Sequence, residues 1–165
     1  ILLACWFLSY SLSKIAVELN ALMKNSDYRI IYKLHQGEYI RWKTEYPWLI
    51  DSNIEVIDNS SKDMYYYYSQ ASIQIGVYST AIFEGLGYGL KTIICKLYGY
   101  EYMEELYLNN YAKLVENAVE IVKYLNDERV NTKEVDRTYF WKSYSFESIS
   151  ELINNIIMQS KKDKN

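Results

Sequence analysis

Five short apolar runs, each followed by a segment of helical period, constrain this chain more than any other feature. The runs cover residues 1–8, 29–34, 53–57, 72–77 and 91–95. After the first, Leu12, Ile15, Ala16, Leu19, Leu22 and Met23 recur at i, i+3, i+4, i+7 spacing, predicting an amphipathic helix over 12–24 capped by Ser9 or Ser11. A second helix is predicted from a cap at Ser60 or Ser61 to Ala71; its four consecutive tyrosines, Tyr65 to Tyr68, run round all its faces. A third, over 81–88, ends at Gly89. Residues 39–51, with Pro47, read as irregular with one short helix, and helices are predicted over 101–108, 110–126 and 145–160.

Strands separated by helices of this length form a parallel sheet with helices on both faces, joined by right-handed crossovers. The expectation is a three-layer, Rossmann-like α/β domain with a five-stranded, mostly parallel sheet. All 165 residues fall in that single domain, with 127–165 as a C-terminal helical extension. Hydrophobic residues make up 50% of the chain, too many for disorder. A net charge of −3 argues against a nucleic-acid binder. Cys5 and Cys95 cannot build a disulfide framework, and one histidine excludes any metal site that needs two. The apolar opening is eight residues long, too short for a span of about 20, and lacks the basic leader of a signal peptide. Ile1 stands where a native chain would carry methionine, which suggests a fragment.

In such sheets ligands bind at the carboxyl ends of strands, near the point where strand order reverses. The segments 9–13, 35–38, 58–61, 78–84 and 96–101 become candidates. At Gly76-Val77-Tyr78-Ser79-Thr80 a strand passes straight into a helix, where first-turn N–H groups, the helix dipole and two hydroxyls favour an anion. Glu84 lies one turn on and faces the same way as Thr80, which suits ribose hydroxyls beside a phosphate. Ser79 or Thr80 as a plain N-cap, with Glu84 as a solvated residue, explains the same pattern equally well. His35 ends the second strand, where it could donate to a phosphate or serve as an acid; a surface imidazole is the plainer alternative. Tyr98, with Tyr100 and Tyr102, follows the last strand, where a base or sugar could stack. Neither a G-x-G-x-x-G helix start, a Walker A loop nor a G-x-S-x-G elbow is present.

Taken in order, Tyr32-Lys33-Leu34-His35-x-Gly37-Glu38, Trp42, Tyr46-Pro47, Ile54-x-Val56-Ile57 and Ile75-Gly76-Val77-Tyr78-Ser79-Thr80-Ala81-Ile82-Phe83-Glu84-Gly85 resemble a known pattern. It is that of the C-terminal, donor-binding half of bacterial GT-B glycosyltransferases. The nearest group builds capsule and other surface polysaccharides, including sialyl- and polysialyltransferase-like enzymes and, more distantly, CDP-glycerol polymerases. The resemblance runs from about residue 9 to 125. It implies that His35, from a His-Pro pair whose proline is here Gln36, contacts the donor phosphate and helps the nucleotide leave. It assigns Ser79 and Thr80 to the same phosphate and Glu84 to the ribose. Retaining members carry a second acid eight positions before the first, here Gly76, so the inverting, metal-independent branch fits better.

The resemblance further implies a CMP-, CDP- or UDP-linked sugar as donor substrate, no metal or other cofactor, and a second, N-terminal domain that carries the acceptor and the base. Alone, the chain is expected to turn over little or nothing. Its expected location is the cytoplasm, with association at the inner face of the membrane. A UDP-sugar epimerase of the same architecture and a non-catalytic Rossmann-like binding domain are the alternatives.

Overall fold

A computed structural model describes residues 1–4, 9–127, 135, 137–141 and 143–162. The chain divides into two compact units, Ile1–Val135 and Asp136–Asn165.

The first unit is built on six strands: β1 (Leu2–Ala4), β2 (Ile31–Lys33), β3 (Glu55–Ile57), β4 (Ile73–Gly76), β5 (Lys91–Cys95) and β6 (Ala112–Val115). They form one sheet of order β3-β2-β1-β4-β5-β6, and every neighbouring pair is parallel. Leu2 is in register with both Ile31 of β2 and Gln74 of β4, so the order reverses beside β1. This is the Rossmann arrangement, and it places the reversal between the ends of β1 and β4.

Burial on both faces explains the unbroken apolar strands. All four residues of β4 are buried, as are Ile31, Tyr32 and Lys33 of β2. Helix α1 (Ser9–Leu22) covers one face with Leu12, Ala16 and Leu19, beside Ile121 and Tyr124 of a later helix over Ala118–Asn126. On the other face Leu2, Ile31 and Ile57 pack with Tyr67 and Tyr68. Those two tyrosines are the inward half of the four-tyrosine run; Tyr65 and Tyr66 stay exposed.

The remaining helices of this unit, in chain order, are α2 (Trp42–Glu45), α3 (Met64–Gln70), α4 (Thr80–Gly87), α5 (Glu104–Leu108) and α6 (Ala118–Asn126). The α3 cap is Asp63, whose Oδ1 accepts from the Tyr66 N–H at 2.8 Å, and not Ser60 or Ser61. The sheet has six strands where five were expected, because the predicted helix over 110–126 is a strand and a helix. Asn117 divides them, its Oδ1 accepting from the Glu120 N–H at 3.0 Å as the N-cap of α6. The predicted first strand continues through residues 5–8, which lie outside the described residues, as does 128–134 of the predicted connection.

The second unit contains α7 (Arg137–Phe140) and α8 (Ser145–Lys162), the latter carrying the predicted stripe of Ile149, Leu152, Ile153, Ile156 and Ile157. Among the described residues no helix is long and apolar enough to cross a membrane.

Candidate functional site

At the end of β2 the chain turns through a short 3₁₀ segment, Gln36–Glu38, and His35 is its cap. His35 Nδ1 accepts from the Gly37 N–H at 3.2 Å, and Glu38 Oε2 accepts from the His35 N–H at 2.9 Å. This reciprocal pair is a capping box with imidazole in place of the usual hydroxyl. An acceptor at Nδ1 places the proton of the neutral ring on Nε2, so Nε2 is the donor side of the imidazole. Glu38 is buried, and its Oε1 accepts from the Tyr46 hydroxyl at 3.0 Å. Burial and the neighbouring Glu38 carboxylate both push the Tyr46 hydroxyl well above the ordinary phenol range, so it stays a donor. The loop therefore has a rigid frame although Gln36 stands where the resembling pattern has proline.

At the end of β4, Ser79 is the N-cap of α4, and its Oγ accepts from the Ala81 N–H at 3.2 Å. At the end of β3, Asn59 Oδ1 holds Ser61 through its N–H at 3.1 Å and its hydroxyl at 2.6 Å. Asp58 Oδ2 accepts from the Trp42 indole N–H at 3.0 Å, tying this loop to α2.

These three strand ends enclose a cleft of about 590 Å³, lined by His35 and Ser79 together with Lys33, Ser60, Lys62 and Asp63. That volume suits a small organic ligand. Leu34, Met64 and Ala81 add apolar surface. Of the five candidate residues, the structure brings His35 and Ser79 into one cleft. Thr80 follows in the first turn of α4, exposed, and does not line it. Glu84 lies on the side of α4 that faces Tyr68: its charge, after burial, helps hold the Tyr68 phenol protonated, and that hydroxyl donates to the Ala81 carbonyl at 2.7 Å. Tyr98 is 84% exposed, in the loop after β5. Below it, Gly99 adopts a positive φ of 85° against the Tyr78 ring.

Lys33 and Lys62 carry the cleft's positive charge and were not among the sequence candidates. The available signal was a lysine closing a strand otherwise destined for burial, a position lysine rarely takes. Among the described residues, no three His, Cys, Asp or Glu side chains are grouped as a metal site would need.

No protein-family model matches this sequence, and no characterised protein sequence matches it. Among solved structures, the fold is similar to that of UDP-GlcNAc 2-epimerase from Methanocaldococcus jannaschii, crystallised in complex with UDP-GlcNAc and UDP. The identity is 18% and the TM-score 0.66, over 93% of this chain and 44% of that one. The chain thus spans less than half the length of that protein. What the likeness establishes is the fold: an α/β, Rossmann-like domain of the kind found in GT-B-like architectures.

Proposed function

We propose that this chain binds the nucleotide end of an activated sugar, as the donor half of a metal-independent, inverting glycosyltransferase that builds surface polysaccharide. The observation that carries this reading is the single cleft in which His35, from the end of β2, meets Ser79, from the start of α4. Two donors lining one cleft suit an anion bound there.

In the proposed reaction the bond between the sugar's anomeric carbon and the phosphate oxygen breaks as an acceptor hydroxyl attacks from the opposite face. Negative charge grows on the departing phosphate. His35 Nε2–H and the Ser79 hydroxyl stabilise that charge, and the positive end of α4 adds to them. Glu38 and Tyr46 fix the imidazole's tautomer and direction without touching the ligand. Thr80 and Glu84 belong to the phosphate and ribose contacts in this reading, and Tyr98 to the sugar or base, reached by a ligand that extends beyond the cleft. The acceptor and its base sit on a second domain, and the reaction takes place on the cytoplasmic side, where the membrane's inner face presents the growing polymer.

The likeness to a UDP-GlcNAc 2-epimerase favours one second reading, a UDP-sugar epimerase. Incubating the protein and its second domain with UDP-GlcNAc alone separates the two, since an epimerase forms product without an acceptor. Binding itself is tested by titrating CMP, CDP and UDP into this chain by calorimetry and thermal melting. Saturation at a hundred times Kd should stabilise the fold by about 2.7 kcal/mol. His35→Ala should weaken the nucleotide at least tenfold, the loss of about one charge-assisted hydrogen bond. Heat and stability signals unmoved by all three nucleotides would leave a non-catalytic binding or assembly domain.

A further inference from the structure

Lys33 is only 8% exposed, yet it meets no counter-ion among the described residues. Its Nζ donates to the carbonyls of Leu34 and Asn59, each at 3.2 Å, and to the Tyr39 hydroxyl. The Tyr39 ring lies 4.7 Å from the same nitrogen, centroid to ammonium. An ammonium has three N–H groups, and all three go to neutral acceptors. No carboxylate among the described residues stands within ion-pair distance. Neutral dipoles satisfy the hydrogen bonds and leave the charge in place. Buried charges are ordinarily paired, because desolvation penalises them.

The surroundings say where the missing partner belongs. Lys33 lines the same cleft as His35 and Ser79. Lys62 adds a second cation there; the one carboxylate of the lining, Asp63, caps α3 by accepting from the Tyr66 N–H and keeps its charge, so two lysines stand against one carboxylate. His35 and Ser79 already provide donors for one phosphate. Two lysines against one carboxylate leave the lining net positive, which favours the more highly charged of two anions.

We propose that Lys33 is a specificity-determining residue: its fixed charge makes this cleft prefer a nucleoside diphosphate to a nucleoside monophosphate, and the diphosphate is its counter-ion. Lys33 acts by its field, since its N–H groups are already engaged. It therefore raises affinity in proportion to ligand charge and not by adding a contact. The inference rests on the nucleotide reading of the cleft and sharpens it, because it favours a UDP- or CDP-linked donor over a CMP-linked one.

The test measures Kd for uridine, UMP, UDP and inorganic pyrophosphate on the wild-type chain, Lys33→Met and Lys33→Arg, at low and high salt. Wild type should hold UDP at least about tenfold more tightly than UMP. Lys33→Met should erase most of that ratio and weaken pyrophosphate, while leaving uridine within about twofold. Lys33→Arg, which keeps the charge, should keep the ratio. An unchanged UDP-to-UMP ratio in folded Lys33→Met overturns the proposal and leaves the nucleotide reading standing. Wild-type protein that binds no nucleotide and no pyrophosphate overturns both.

If Lys33→Met does not fold, selectively labelled wild type decides. The ¹³Cε signal of Lys33, assigned by its disappearance in Lys33→Arg, should move on adding UDP or pyrophosphate and stay still with uridine. A signal that ignores both anions refutes the proposal without any methionine variant.

Discussion

Gly85→Ala is the substitution whose outcome the structure fixes most tightly. Gly85 lies in α4, directly over Gln74 of β4. A Cβ at position 85 would stand 2.1 Å from Gln74 Oε1, 2.5 Å from its Cδ and 2.7 Å from its Nε2. The Gln74 amide cannot simply swing aside. It is 5% exposed, and its Nε2 donates to the Ile82 carbonyl and to Thr92 Oγ1, both at 2.8 Å. Either α4 lifts from the sheet, an overpacking cost of about 1–3 kcal/mol, or the amide loses its buried partners at about 1–3 kcal/mol. Against this, alanine is favoured over glycine in a helix by about 1 kcal/mol. The expected net loss is about 1 kcal/mol, or roughly 2–4 °C in Tm for a chain of this size.

The assay is a double-mutant cycle in urea. In a Gln74→Ala background the clash is gone, so Gly85→Ala should become neutral or stabilising by up to about 1 kcal/mol. The sign reversal is the decisive result. A cost of equal size in both backgrounds would show that Gln74 is not what forbids a side chain at 85. The functional consequence is that this glycine lets α4 sit close enough to β4 for Ser79 to form the wall of the cleft.

Gly99→Ala should cost about 2 kcal/mol, because φ is 85° there and the new Cβ would lie 2.5 Å from Tyr78 Cε1; a change in near-ultraviolet tyrosine dichroism should accompany it, and unaltered stability would refute the contact. Stability should also fall in alkali. Tyr46 and Tyr68 hold their protons more tightly when folded, mainly through burial, with Glu38 adding to the first and Glu84 to the second. Between the unfolded phenol value of about 10 and the higher folded one, the folded chain binds more protons, so stability drops as pH rises. The slope should reach about 1.4 kcal/mol per pH unit for each tyrosine, with no contribution below pH 9. Urea melts from pH 8 to 11 measure it, and Tyr46→Phe should remove its share; an undiminished slope in that variant would clear Tyr46 of the effect.

Most of the strands that were legible in the sequence, β2, β4 and β5, are buried on both faces, so their apolar runs are interrupted only by turns; the edge strand β3, with Glu55 exposed, was legible from its alternation of Ile54, Val56 and Ile57 with polar residues. β6 was hidden for a specific reason. Ala112, Val115, Val119 and Val122 fall at helical spacing across the strand and into α6, and only the Asn117 cap marks the break. That His35 and Ser79 would share one cleft was legible because each follows the end of a buried strand, and strand ends converge in a parallel sheet. Thr80 and Glu84 shared a face by spacing alone; which way α4 turns that face depends on how the helix packs on α3, which no local pattern records. Lys33 was hidden because the sequence shows a charge and the structure shows its burial.

Under the proposed donor-binding reading, with Gln36 in place of the pattern's proline, one requirement is met by different physics. A leaving group is stabilised only if the donor's direction is held before the reaction starts. A proline ring would hold it by fixing a backbone angle. Here the buried Glu38 carboxylate does so instead, with one oxygen on the His35 N–H and the other on the Tyr46 hydroxyl. Each is a hydrogen bond to a charged group, typically worth about 1.5–3 kcal/mol. The Gly37 N–H then selects the tautomer by donating to Nδ1. In the proposed reaction the segment Leu34-His35-Gln36-Gly37-Glu38 would hold the imidazole's direction through these bonds, the acid three residues on doing what a proline ring would otherwise do.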